Sequence, residues 1–201
     1  MASPRHWDAR LHAYVGGLPT SPADAWLRRL STFANSGKLW LVVAGLLGAR
    51  KGQQRRAALR GVFSMTAASL VANAVLKPIF GRVRPDFSDH PTLRQLRRPP
   101  ASRSFPSGHS ATAAGFVTGV AMESPLAGAA LAPLAIGVGY SRVHVGVHYP
   151  GDVIAGMAVG SAGTSNAGRT RAGACGRTAH QRRPSAATAP PTAMPATTSP
   201  G

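Results

Sequence analysis

Two histidines, an aspartate, a lysine and two arginines stand at spacings that suit phosphate chemistry. Lys77 and Arg84 fall in the run Lys77-Pro-Ile-Phe-Gly-Arg-Val-Arg-Pro85. His109 closes Pro106-Ser-Gly-His109. Arg142 and His148 belong to Ser141-Arg-Val-His-Val-Gly-Val-His148, with Asp152 four residues further on. Hydrolysis of a phosphate ester needs a nucleophile, an acid for the departing oxygen, and positive charge around three equatorial oxygens. His148 suits the nucleophile. Asp152 lies one helical turn beyond it, so its carboxylate can reach the far imidazole nitrogen, fix the tautomer and stabilise an imidazolium. Pro150 is well placed for the first turn of that helix. His109, at a predicted helix N-terminus, can protonate a leaving alkoxide, with backbone N–H groups near Ser107 and Gly108 facing the phosphate and the helix dipole behind them. Arg84 and Arg142 suit bidentate contact with phosphate oxygens, and Lys77 supplies a point charge. Singly, Ser-Gly-His is more often a helix cap, each cation a membrane-flanking charge, and His148 with Asp152 a surface pair. The order and spacing are what promote them. Arg82, Arg97, Arg98 and Arg103 lack such a pattern and read as headgroup or interface contacts, and His144 as a structural neighbour.

In this order the three runs resemble the signature motifs of the type 2 phosphatidic acid phosphatase family, lipid-phosphatase relatives of the vanadium haloperoxidases. The match covers Lys77–Asp152, and the layout extends from about Leu39. The resemblance implies an all-α fold, a multi-pass transmembrane helical bundle whose core usually has six helices; this chain's apolar runs give about five core helices plus an N-terminal amphipathic helix in place of the first, with the last cut short. It implies a metal-independent phosphatase without cofactor. The substrate would be a lipid phosphate such as phosphatidic acid or a polyprenyl phosphate or diphosphate, and His148 would form a phosphohistidine. His148, His109 and Asp152 are then catalytic, and Lys77, Arg84, Ser107, Gly108 and Arg142 hold the phosphate, with no metal ligand. The family usually keeps its site on the extracytoplasmic side of a cell membrane. The run Arg29–Tyr149 also resembles the phosphatase half of actinobacterial proteins fused to a lipid-kinase-like domain, whose kinase part has no counterpart here. Two alternatives stay open: a vanadium-dependent haloperoxidase, and a catalytically silent membrane protein whose motifs survive.

The elements that must position these residues are legible as apolar runs bounded by charge. Ser21-Pro22-Ala-Asp24 reads as a helix start, with Trp26, Leu27, Leu30 and Phe33 following at helical spacing. This amphipathic helix either lies at a membrane interface or packs on a bundle. The runs Leu39–Ala49, Gly61–Leu76, Ser110–Met122, Ser124–Ser141 and Val153–Gly163 follow. None alone reaches the roughly 20 residues that span about 30 Å of hydrocarbon, but flanking residues extend several of them. Their Ala, Gly and Ser content suits close helix packing in lipid, and Ala121 to Pro125 is a tight link between antiparallel neighbours. If the five runs cross alternately, the ends that carry the three motifs fall on one face. That agreement needs no family knowledge.

Composition supports this layout and divides the chain into residues 1–37, a phosphatase domain over 38–163, and a tail over 164–201. The 201 residues suffice for one core, and the charge of +17 often signals nucleic acid. Here the arginines fall between apolar runs, as in membrane proteins, so the predicted partners are bilayer and lipid phosphate, not nucleic acid. Arg50, Lys51, Arg55, Arg56 and Arg60 crowd the face opposite the motifs, but Arg82–Arg103 is basic too, so charge does not choose a side. No cleavable signal peptide is visible at the polar start, and the lone Cys175 supports neither redox nor zinc chemistry. Leu, Ile, Val, Phe, Tyr and Trp are absent from Thr164 to Gly201, which predicts a disordered tail. The abrupt change, a dozen residues into the fifth helix, reads equally as an interrupted frame in GC-rich DNA or as a genuine polar tail.

Overall fold

The computed structural model describes residues 4–80, 82–86 and 90–164. All its regular elements are helical. They are α1 (Pro4–Gly16), α2 (Pro22–Phe33), a 3₁₀ turn (Asn35–Gly37), α3 (Lys38–Gly48), α4 (Gln53–Leu70), a π-helical turn (Val71–Leu76), α5 (Lys77–Phe80), α6 (Gly108–Ala121), α7 (Pro125–His144) and α8 over residues 150–164. The five predicted core helices correspond to α3, the α4–α5 rod, α6, α7 and α8. The N-terminal part holds two helices where one was predicted, because the polar start folds as α1. Of the tail expected over 164–201, residues 165–201 lie outside the described residues. Thr164 itself still belongs to α8, its Oγ1 donating to the Gly160 carbonyl at 2.9 Å.

Local chemistry sets the helix ends. At α2 the Ser21 N–H donates to Asp24 Oδ2 at 3.1 Å, and Pro22 opens the first turn. Leu30 points inward while Trp26 and Phe33 are exposed, so the apolar stripe is divided between core and surroundings. Helices α2 and α3 meet at a 68° bend. Ser36 (φ 56°) and Gly37 (φ 72°) make that corner in the left-handed region.

The rod from Gln53 to Phe80 has 28 residues and, like Pro125–His144, is long and apolar enough to cross a membrane; the bent α2–α3 pair makes a third candidate span. Helix α6, with 14 residues, is shorter than a full crossing. Within the rod the Asn73 amide donates to the Ser69 carbonyl at 2.9 Å, competing with the backbone for that acceptor where the helix widens into its π turn. Lys77 is seventeen positions after Arg60, about 25 Å of helix, a little less than the hydrocarbon thickness.

Trp40, Ala57, Met65, Phe116, Val120 and Val138 form the main core, with the Trp40 and Phe116 rings 5.2 Å apart. Helix α6 is central, packed on α4 and α7. It approaches α4 through Gly115 and Gly119, where an added Cβ would lie 2.9 Å from Ala68 Cβ and 2.7 Å from Ser64 Oγ. Gly156 and Gly160 do the same for α8, lying against the carbonyls of Ser107 and Ala111. Small residues four apart let backbones approach, which is how helices associate where water supplies no hydrophobic drive. Leu41, Leu46, Phe63, Val71, Ile79, Leu126, Ile136 and Ile154 remain exposed, an apolar exterior fitting lipid contact. The molecule is an all-α membrane bundle.

Candidate active site

His148 lies in the short link between α7 and α8, and Asp152 in the first turn of α8. Both are buried, at 1% and 0% side-chain exposure. Asp152 Oδ2 accepts the Tyr149 N–H at 3.0 Å, capping the new helix, and stands 3.5 Å from His148 Nδ1. The other imidazole nitrogen, Nε2, is 3.2 Å from Arg84 Nη1. A guanidinium can only donate, so Nε2 accepts and the neutral ring carries its proton on Nδ1, toward the carboxylate. Burial pushes the His148 pKa down to about 4; the Asp152 hydrogen bond opposes this, and the charges of Arg142 and Arg84 add to the lowering. The ring is therefore neutral at ordinary pH, with a lone pair on Nε2.

Three cations surround that nitrogen's side of a cavity of about 390 Å³. Arg84 is fixed by the Ser102 carbonyl at 2.6 Å and the Val147 carbonyl at 2.7 Å. Lys77 Nζ donates to Asn73 Oδ1 at 2.7 Å, one turn back along the rod. Arg142 is fully buried; its Nη1 donates to Ser31 Oγ at 2.6 Å, while Nε and Nη2 are buried without a partner. Buried guanidinium donors left open beside a cavity are costly unless an anion completes them.

The Pro-Ser-Gly-His run places its residues unequally. Gly108 and His109 line the cavity with Lys77, Arg84, Arg142 and His148. A Cβ at Gly108 would fall 2.7 Å from Asn73 Oδ1, so only glycine lets this backbone come so near the rod. His109 Nε2 donates to Asn35 Oδ1 at 2.8 Å, which leaves Nδ1 for proton transfer. Ser107 differs from the sequence expectation. Its N–H donates to the Asp152 carbonyl at 2.9 Å, its buried Oγ accepts from Ser110 Oγ at 3.0 Å, and it does not line the cavity. Ser107 ties α6 to α8 instead of offering its N–H to a ligand.

Several supporting residues escaped the sequence reading. Arg82, assigned there to headgroups, reaches inward: its Nη1 bonds Asp8 Oδ2 at 2.7 Å and Asp152 Oδ1 at 3.0 Å, and its guanidinium stacks 3.9 Å over the Tyr149 ring. Asp8, on α1, also accepts the Gly151 N–H at 2.7 Å. Asp24 receives Arg94 at 3.1 Å and His144 at 2.9 Å, securing α2 to α7 and to the segment before α6. His144 thus has the structural place expected of it. One signal was available: the chain has six acids against 23 Lys and Arg, so each acid is a scarce counter-ion and a candidate anchor.

A profile of the PAP2 superfamily matches residues 58–165, and a family of unknown function (DUF6518) matches residues 7–75. Lipid A 1-phosphatase of Rhizobium johnstonii is 42% identical over 102 residues, 49% of this chain and 41% of that protein, so the chain spans less than half of that relative. Decaprenylphosphoryl-5-phosphoribose phosphatase of Mycobacterium tuberculosis is 38% identical over 139 residues, 68% of this chain and 74% of the relative. Among solved structures, a transmembrane PAP2-type phosphatidylglycerolphosphate phosphatase from Bacillus subtilis superposes with a TM-score of 0.65 at 22% identity, over 92% of this chain and 90% of the other, a likeness of fold. With the profile covering more than half the chain and the mycobacterial relative matched over most of its length, this protein belongs to the PAP2 superfamily.

Proposed function

We propose that the chain hydrolyses the phosphate of a membrane lipid, a monoester or a diphosphate on a glycerolipid or polyprenyl carrier, through a phosphohistidine on His148. The observation that supports this most is the placement of His148: Asp152 Oδ2 stands 3.5 Å from Nδ1, and Nε2, 3.2 Å from Arg84 Nη1, belongs to the cavity lined by Lys77, Arg84 and Arg142, where an entering phosphate would take Arg84 from it. In the first step Nε2 attacks phosphorus and the bond to the lipid oxygen breaks, with that oxygen taking the Nδ1 proton of His109, which enters the step as an imidazolium after taking a proton from the incoming phosphate monoanion. The three cations hold the equatorial oxygens, and Asp152 balances the charge that His148 gains. In the second step water attacks phosphorus, His109 takes its proton, the P–N bond breaks, and inorganic phosphate leaves.

Two substrates test the assignment in detergent-solubilised protein. His148→Ala abolishes phosphate release from phosphatidic acid and from p-nitrophenyl phosphate alike. His109→Ala slows the lipid by about 10²–10⁴-fold, the usual worth of a general acid, but retains an initial burst of p-nitrophenolate, whose departure needs no proton. Unimpaired turnover by His148→Ala would remove the nucleophile assignment.

A further inference from the structure

The ring of His109 is held at one end by a neutral group. Its Nε2 lies 2.8 Å from Asn35 Oδ1, an oxygen that can only accept, so Nε2 keeps its hydrogen and Nδ1 is left for proton exchange. Asn35 comes from the corner between α2 and α3, 74 residues away in sequence. Its neighbours fix it there: Ala34 is buried, and Ser36 and Gly37 turn the chain through the left-handed region.

The two histidines of the site are oriented by different chemistry. His148 Nδ1 faces the Asp152 carboxylate at 3.5 Å, whereas His109 Nε2 meets an amide. The difference matches what each ring must do. His148 becomes cationic when phosphorus bonds to Nε2, and a carboxylate stabilises that charge. His109 releases a proton to the lipid oxygen in the first step and takes one from water in the second, so neither of its charge states can be locked. Lys77, Arg84, Arg142 and His148 share its cavity. Burial, with the charges of Arg142, Lys77 and Arg84, pushes the His109 pKa down. Asn35 itself lines a separate groove with Arg28, Arg29, Lys38, Arg97 and Arg98. So many cations would stabilise a carboxylate at position 35, yet the residue there is the uncharged amide.

We infer that Asn35 is a positioning residue for proton transfer: it fixes His109 with Nδ1 toward the phosphate, and its neutrality lets the ring alternate between acid and base. This role rests on the phosphatase reading and lies outside the three motifs. In the first step the Nδ1–H bond breaks as an O–H bond forms on the leaving oxygen. In the second a water O–H bond breaks as Nδ1–H forms again. The Nε2–H bond persists through both, since an amide oxygen is too weak a base to take that proton.

Asn35→Asp keeps the shape and adds a charge beside Nε2, which should hold the imidazolium and raise the His109 midpoint by about 1–3 pH units. Histidine-ring resonances of the purified full chain in detergent are titrated by NMR, with His109→Gln identifying the His109 signal. The same proteins are assayed with phosphatidic acid and with p-nitrophenyl phosphate. For Asn35→Asp we expect an undiminished burst of p-nitrophenolate, then turnover whose acid limb lies about 1–3 pH units above that of the wild type, because the second step needs the neutral ring. Turnover recovers above that limb. Asn35→Ala frees the ring; it should lower kcat for phosphatidic acid about tenfold at every pH, hold KM within about twofold, and keep the burst. An unmoved midpoint or pH profile in Asn35→Asp overturns the proposal. So does a burst in Asn35→Ala that falls as far as lipid turnover, the mark of a purely structural role. A raised midpoint in a protein that hydrolyses neither substrate sinks the phosphatase reading and keeps the Asn35–His109 pairing; hydrolysis with an unmoved midpoint does the reverse.

Discussion

Replacing Asp8 with alanine tests whether an N-terminal helix outside the three motifs controls catalysis. The Asp8 side chain is 15% exposed and accepts two bonds of 2.7 Å, from Arg82 Nη1 and the Gly151 N–H. A hydrogen bond to a charged group contributes about 1.5–3 kcal/mol, and partial solvent access argues for the low end, so the pair contributes about 3 kcal/mol. For a chain of this length that is roughly 6–12 °C in thermal midpoint. The catalytic effect is transmitted. Arg82 shares one nitrogen between Asp8 and Asp152, so losing Asp8 frees the guanidinium that fixes Asp152 Oδ1, while the approach to His148 is already 3.5 Å. We expect kcat to fall about tenfold, equivalent to roughly 1.4 kcal/mol. KM should hold within about twofold, because Lys77, Arg84 and Arg142 are untouched. Asp8→Asn keeps an acceptor for Gly151 but lacks the charge, so it should recover about half the stability and none of the kcat. The assay is phosphate release across substrate concentration, with thermal unfolding in the same detergent. Wild-type kcat in Asp8→Ala, or a raised KM at constant kcat, would refute the argument.

Other outcomes follow from the site and its packing. Asp152→Asn should reduce kcat by about 10³–10⁴-fold while leaving measurable activity, because orientation and charge are lost but the nucleophile stays; activity within tenfold of wild type would contradict this. His148 has a folded pKa near 4, below its unfolded value near 6.5, so the unfolded chain binds the extra proton between them. Its contribution to stability is complete above about pH 6.5 and is lost as pH falls toward 4; wild-type and His148→Ala midpoints should therefore converge on acidification, and parallel profiles would exclude the effect. Activity should survive EDTA and be blocked by vanadate, since the cavity offers phosphate cations instead of the carboxylates Mg²⁺ needs; loss with chelator and recovery with Mg²⁺ would replace this mechanism. Gly156→Ala puts a methyl against the Ser107 carbonyl and should cost about 1–3 kcal/mol and reduce kcat, whereas Gly163→Ala meets nothing and should be neutral or slightly stabilising.

Much of the fold was legible because its signals are local. Ser21, Pro22 and Asp24 mark a helix start within four residues, and the apolar runs announce the core helices. The cavity was legible for a different reason: Lys77, Arg84, His109, Arg142 and His148 occupy motifs whose spacing is chemical. The supports were not legible. Asp8, Ser31 and Asn35 lie in ordinary polar sequence, and each meets a partner 74 to 143 residues away. Periodicity within a helix carries no information about which distant cation its acid will meet. Ser107 shows the converse, since its motif suggests a phosphate contact while its N–H is taken by a carbonyl two helices further along the chain. The π turn also left no pattern in the sequence; Asn73 lies within it and its amide donates to the Ser69 carbonyl.

The short distance from Arg60 to Lys77 bears on how such a protein meets its substrate. With one charge at each end of about 25 Å of helix, a rod that crosses the bilayer would place Lys77 where hydrocarbon gives way to headgroups. A lipid phosphate already rests at that depth, so its chains need not leave the bilayer for phosphorus to reach His148. Under the proposed function, encounter would then take place by diffusion within a plane. Turnover in vesicles should follow the mole fraction of substrate in the surface, not its amount per volume. Adding inert zwitterionic lipid at fixed total substrate should slow the reaction, as surface dilution requires, while stirring in more buffer should change nothing.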